Sequence, residues 1–153
     1  MKVRTLGLAA AAFVASFFLH APAAHAEAGG FREEMLHRIN AFRAAEGRGP
    51  VVLDAALDTL ASEWAAKLAS AGEMKHRSVS NMGSLLSAHG WTAMNENLFM
   101  SSQPTAEPSE VIAAWKASSG HRKNLLQANV TKIGLGMAHG AAGTFVVFNG
   151  AGG

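Results

Sequence analysis

The 153-residue chain contains no cysteine, so no disulfide ties its folded state together and stability has to come from a packed interior. No basic stripe interleaved with aromatics is present, which argues against a nucleic-acid partner. No internal repeat occurs, no exposed heptad argues for an oligomer, and no Gly-x-Ser-x-Gly elbow marks a serine nucleophile. Long apolar runs are also scarce. Leu6 to Leu19 is shorter than the roughly 20 residues a membrane span requires, and no later stretch is a candidate.

That one run has the marks of a removable leader. Lys2 and Arg4 precede it and Ala24-His25-Ala26 follows it, the pattern of a secretory signal peptide cut after Ala26. The expected mature product, residues 27–153, is exported to the periplasm or beyond the cell. Without Lys2 and Arg4 its acidic and basic residues balance, so its surface has little long-range pull on anionic membranes or charged polymers. About 125 residues suffice for one hydrophobic core and are too few for two ordinary domains.

Hydrophobic spacing predicts the elements. Phe31 to Glu46 reads as a helix with Met35, Leu36, Ile39 and Phe42 on one stripe and Gly47 as its stop. Asp54 is a candidate N-cap for a second helix that carries Leu57, Leu60, Ala61, Trp64, Ala65 and Leu68 and ends near Gly72. Ser78 to Gly90 is ambiguous, with a short helix expected from Met82 to His89. Trp91 to Met100 reads as a strand on which Met94, Glu96, Leu98 and Met100 share a face. Pro108-Ser109-Glu110 opens a helix with Val111, Ile112 and Trp115 on one side; Ser118-Ser119-Gly120 ends it and puts His121 in the loop beyond. Lys132 to His139 and Thr144 to Asn149 form a hairpin with a loop of about four residues. Gly134, Gly136 and Ala138 leave room for a helix on one face of it, while Ile133, Leu135 and Met137 pack on the other. The sum is an α+β sandwich with a small antiparallel sheet.

Chemistry concentrates in three separated stretches: Met74-Lys75-His76, Asn95-Glu96-Asn97-Leu98, and Ser119-Gly120-His121 running on to Leu126. Glu96 points where apolar neighbours point, so its charge needs partners. If the fold unites these stretches, His76, Glu96 and His121 make either a metal site or a buried hydrogen-bonded cluster. Two imidazoles and a carboxylate can hold zinc tetrahedrally with one position left for water. Such an ion activates water for hydrolysis, which usually also needs a separate general base, and the sequence offers no clear one. Met35, Met82, Met94, Met100 and Met137 read as core rather than as an acyl-binding pocket. Trp64 and Trp115 read as packing residues, and Trp91 as a possible edge of the cleft.

The order of these features resembles the CAP superfamily: cysteine-rich secretory proteins, antigen 5 and pathogenesis-related 1 proteins, and in particular their secreted bacterial branch. The likeness rests on a Trp-containing helix, His76, Glu96-Asn97-Leu98, Trp115, Gly120-His121-Arg122 with Asn124-Leu125-Leu126, and Ile133-Gly134-Leu135-Gly136, and runs from about Phe31 to Phe148. It implies a three-layer α-β-α sandwich whose central cleft is lined by His76, Glu96 and His121. Many members bind zinc or another divalent ion there, and some bind sterols or other lipids. Two departures stand out: Ser118 occupies the place of a second acid found in many eukaryotic members, and Met74-Lys75-His76 replaces the usual aromatic-Ser-His. The resulting expectation is a monomeric, secreted CAP domain that binds a metal, a small molecule, a lipid or an envelope ligand; the alternative is a metal-dependent hydrolase of peptides or esters.

Overall fold

The computed structural model describes residues 21–153, so most of the leader expected at residues 1–26 lies outside the described residues. Helix α1 (Ala21–Ala45) buries Phe31, Met35, Ile39 and Phe42 at spacings of four, four and three, a single stripe from Phe31 to Phe42. Gly47, at φ 68°, reverses the chain after it. Strand β1 (Val52–Leu53) follows, and then helix α2 (Ala55–Ala71). Asp54 caps α2 by accepting from the backbone N–H groups of Ala56 and Leu57 at 3.0 and 3.1 Å, and left-handed Gly72 closes it. Helix α3 (Val79–His89) is capped by Ser78 and Gly90 and buries none of its residues.

Strand β2 (Ala93–Ser101), helix α4 (Pro108–Ala117), helix α5 (Ser119–Leu125), strand β3 (Lys132–Gly140) and strand β4 (Gly143–Gly152) complete the order. The sheet runs β1-β3-β4-β2, with β1 parallel to β3 and the other pairs antiparallel. Helix α2 covers one face. On the other, α1, α4 and α5 cover a core built on Met35, Ile39, Trp115, Leu125, Ile133, Leu135, Val146 and Phe148. The result is the expected α+β, three-layer α-β-α sandwich, and the small residues of β3 do face a closely docked helix.

Several expectations need correction. His121 lies in α5, not in a loop: extended Ser118, at φ −92° and ψ 121°, ends α4, and the helix restarts at once. Ser118-Ser119-Gly120 reads as a stop because all three residues are poor helix interiors, yet a stop and a restart leave the same signature. The hairpin turns through Ala141-Ala142 alone, since β3 reaches Gly140 and β4 starts at Gly143. Strand β4 also continues past Asn149, pairing Gly150, Ala151 and Gly152 with Asn95, Met94 and Ala93. A Cβ at Gly152 would overlap the backbone of Asn129, so position 152 has room for glycine alone.

Candidate functional site

Strand β2 is an edge strand, and its outer carbonyls are covered by side chains. Trp115 of α4 donates its indole N–H to the Leu98 carbonyl at 2.9 Å, and Asn124 of α5 donates to the Glu96 carbonyl at 3.1 Å. Asn97, wholly buried, donates to the His121 carbonyl at 3.0 Å and accepts from Asn124 at 2.8 Å. Asn95 donates to the Asn124 carbonyl at 3.1 Å and to Gln127 at 2.7 Å. Buried amides of this kind stay in place because each lost partner costs about 1–3 kcal/mol. The Glu-Asn-Leu motif therefore divides its work. Leu98 packs against α2, Asn97 fixes α5 and so His121, and Glu96 turns to the opposite face of the strand.

Glu96 is 5% exposed, and a carboxylate so withdrawn from water requires compensation. Its Oε1 accepts from His76 Nδ1 at 2.9 Å and from the Arg77 backbone N–H at 3.1 Å. Its Oε2 lies 3.4 Å from Asn149 Nδ2 and 3.5 Å from Arg77 Nε. The last contact is electrostatic rather than a hydrogen bond, since Arg77 Nε has no aligned acceptor. Arg77 is itself buried: it donates from Nη2 to the Leu60 carbonyl, and its Cζ sits 4.7 Å from the centre of the Trp64 ring. Burial lowers its pKa, while the charges of Glu96 and Glu63 work in the opposite direction. A guanidinium remains charged through such a change. Sequence reasoning missed Arg77; an arginine next to a candidate histidine, one turn of chain from a Trp-bearing helix, is a faint signal, since most arginines are solvated.

His76 and His121 line one cleft of about 650 Å³, together with Met94, Glu96, Ser118 and Lys123. His76 comes from the loop after α2 and its side chain is 58% exposed; His121 is half-buried on α5. The cleft thus straddles the free edge of β2, with His76 from the loop after α2 on one side and His121 from α5 on the other. His121 is held below the ordinary histidine pKa, chiefly by burial and secondly by the positive charge His76 can carry. All three expected residues are brought together at this cleft. Ser118 is in its wall.

The donor set fits a metal only in part. Among the described residues no three His, Asp or Glu side chains are grouped so as to hold an ion. Both Glu96 oxygens already face donors, so the imidazoles are the groups left to bind. Trp91 is not in this cleft: it is nearly buried and stacks on His89 with ring centres 4.3 Å apart. Met35 is wholly buried and Met137 packs against the same core, whereas Met94 reaches the cleft. Among the described residues no helix is long and apolar enough to cross a membrane.

Known proteins share this architecture. An outer surface protein of Borrelia burgdorferi superposes with a TM-score of 0.69 at 19% identity, covering 80% of this chain and 92% of its own. An extracellular SCP-domain protein of Bacillus anthracis gives 0.66 at 20% identity, and a cysteine-rich secretory protein of Staphylococcus aureus 0.66 at 15%. This chain covers only 41% and 40% of those two, whose lengths exceed the shared domain. Identities this low speak to fold alone. Comparison with curated protein sequences gives no match. The sequence itself matches the CAP family, described as the cysteine-rich secretory protein family, over residues 36–149. With the motifs in order along a match of that extent, the chain belongs to the CAP family.

Proposed function

We propose that this CAP domain is an exported binding module whose cleft takes up a small polar ligand or a divalent cation through His76 and His121. One observation carries the reading. His76 commits Nδ1 to Glu96 at 2.9 Å, which leaves Nε2 as the ring's unengaged nitrogen in a cleft it shares with His121. A carboxylate gripping the far nitrogen of a histidine is the usual support of a metal- or ligand-binding imidazole. In this reading Glu96 orients and the two histidines bind. A zinc ion held there would polarise a bound carbonyl or water. Lys123, Ser118 and Asn124 add polar groups to the walls, which suits a small polar ligand better than a sterol.

The hydrolase alternative lacks a base. Glu96 is buried and already accepts from several donors, and Ser118 stands where a second acid would serve. Export is supported by the leader-like N-terminus. Calorimetric titration of residues 27–153 with zinc tests the proposal directly. Binding is expected at pH 7.5, weakening at pH 5.5 as protons compete with the metal for ring nitrogens, and disappearing in His76→Ala and His121→Ala. Absence of binding at both pH values, with no small molecule co-purifying, would leave the three residues as a structural cluster. Metal-stimulated ester or peptide cleavage lost in both variants would replace the binding module with an enzyme.

A further inference from the structure

Arg77 lies directly behind the face of Glu96 that meets His76, and no motif assigns it a part. Its backbone and its side chain both address the same carboxylate: the N–H reaches Oε1 at 3.1 Å and Nε stands 3.5 Å from Oε2. Its guanidinium has little other choice. The Arg77 side chain is 4% exposed, its Nη2 is spent on the Leu60 carbonyl, and the Trp64 ring closes one side at 4.7 Å. Lys67 stands over the same ring at 5.0 Å, and Glu63 adds a negative charge from the surface side. In the pocket behind the site, the cation nearest Glu96 is thus a fixed one that belongs to the protein.

We infer that Arg77 is a positioning residue for His76: it serves as the permanent counter-ion of Glu96 and so keeps His76 in the tautomer that carries hydrogen on Nδ1 and a bare Nε2. The argument is one of charge and geometry. Glu96 and Arg77 together are neutral, so the buried carboxylate does not need a charged imidazole to balance it. It can therefore accept an ordinary N–H from a neutral ring, and the hydrogen bond fixes which nitrogen bears the hydrogen. The stack on Trp64 holds the guanidinium, the guanidinium and the Asn149 amide hold Oε2, and Oε1 is left aimed at His76. Without Arg77 only the 3.4 Å Asn149 contact holds Oε2, the grip of Oε1 on His76 slackens, and the neutral ring is free to carry its hydrogen on Nε2, with no lone pair there to offer the cleft.

The importance of this for binding rests on the cleft reading above; the tautomer does not, and the two are measured separately. Long-range 1H–15N correlation spectra of the metal-free, uniformly 15N-labelled chain at pH 7.5 report which nitrogen of His76 carries hydrogen. The native chain is expected to show hydrogen on Nδ1 only. In Arg77→Met hydrogen should appear on Nε2, with zinc affinity reduced about tenfold or more, the cost usual for losing an outer support of a ligand; Arg77→Lys, which keeps the charge, should retain the native pattern. Hydrogen on Nε2 in the native chain, or an Arg77→Met spectrum unchanged from it, would overturn the inference. Because hydrogen on Nε2 in the native spectrum is enough to overturn the inference, the test stands even if Arg77→Met does not fold. A native chain with hydrogen on Nδ1 that binds no zinc would sink the metal reading of the cleft and leave the role of Arg77 intact.

Discussion

Alternate residues of β3 meet two different kinds of neighbour. On one side Ile133, Leu135 and Met137 interlock with side chains of the layer formed by α1, α4 and α5. On the other, Gly134, Gly136 and Gly140 let the backbone of α2 lie almost against the strand: a Cβ at Gly134 would overlap Leu57, at Gly136 Ala61, and at Gly140 Ala69. One face is a jigsaw of large side chains; the other is main chain against main chain. The same alternation sorts the site. Glu96 and Asn149, directly paired across β2 and β4, face the α2 side, while Asn95 and Asn97 face α5. The close face thus carries the buried carboxylate, and the interlocked face carries the amides that hold the second histidine.

The largest effect is expected where the comparison is sharpest. Gly136→Ala has no room without moving α2, so it should cost at least about 3 kcal/mol, at or above the usual range for overpacking, and lower the urea midpoint accordingly. Met137→Leu, volume-conserving and on the interlocking face, should cost less than about 1.5 kcal/mol. Equal midpoints for the two variants would erase the distinction between the faces.

A middle-sized effect tests the amide side. Asn97→Ala removes the donor to the His121 carbonyl and the acceptor for Asn124, both part-buried bonds made by a wholly buried side chain. About 2 kcal/mol is expected from the groups left unpaired. The imidazole signals of His121 should shift while those of His76 do not, because His76 is held from the other face. Shifts of both rings alike would mean that the two walls of the cleft are not independently fixed.

How much of this was legible in the residues follows from the range of the forces involved. Asp54, Gly72 and the stripe of α2 are local signals, and local signals predict α2 almost to its ends. The alternation of large and small residues in β3 foretold a close helix, because only a small side chain admits one. What local reading could not see was longer in range. The restart of a helix after Ser118 depends on α5 docking through Asn97 and Asn95, about twenty-five residues away in sequence. The continuation of β4 through Gly152 depends on pairing with Ala93. His76, Glu96 and His121 were recognisable by motif, but the partner that neutralises Glu96 was not. Arg77 differs from a solvated arginine only by its burial against Trp64, which no spacing announces.

The smallest effect concerns the two histidines themselves, one exposed and one half-buried across the cleft. Burial first, and the charge His76 can carry second, hold His121 below the ordinary histidine value. The unfolded chain accepts a proton on this residue near pH 6.5, whereas the folded chain resists it until the pH is lower. Below about pH 6.5 the unfolded state therefore binds more protons, and stability must fall as the solution becomes more acidic. The contribution is fully present above the unfolded value and is lost on the way down to the folded one. Urea unfolding between pH 7.5 and 5.5 should show this decline in the native chain and a shallower one in His121→Gln. Identical slopes would mean that the half-buried ring takes up its proton as freely as one in water, and that the wall α5 builds around it is open to solvent.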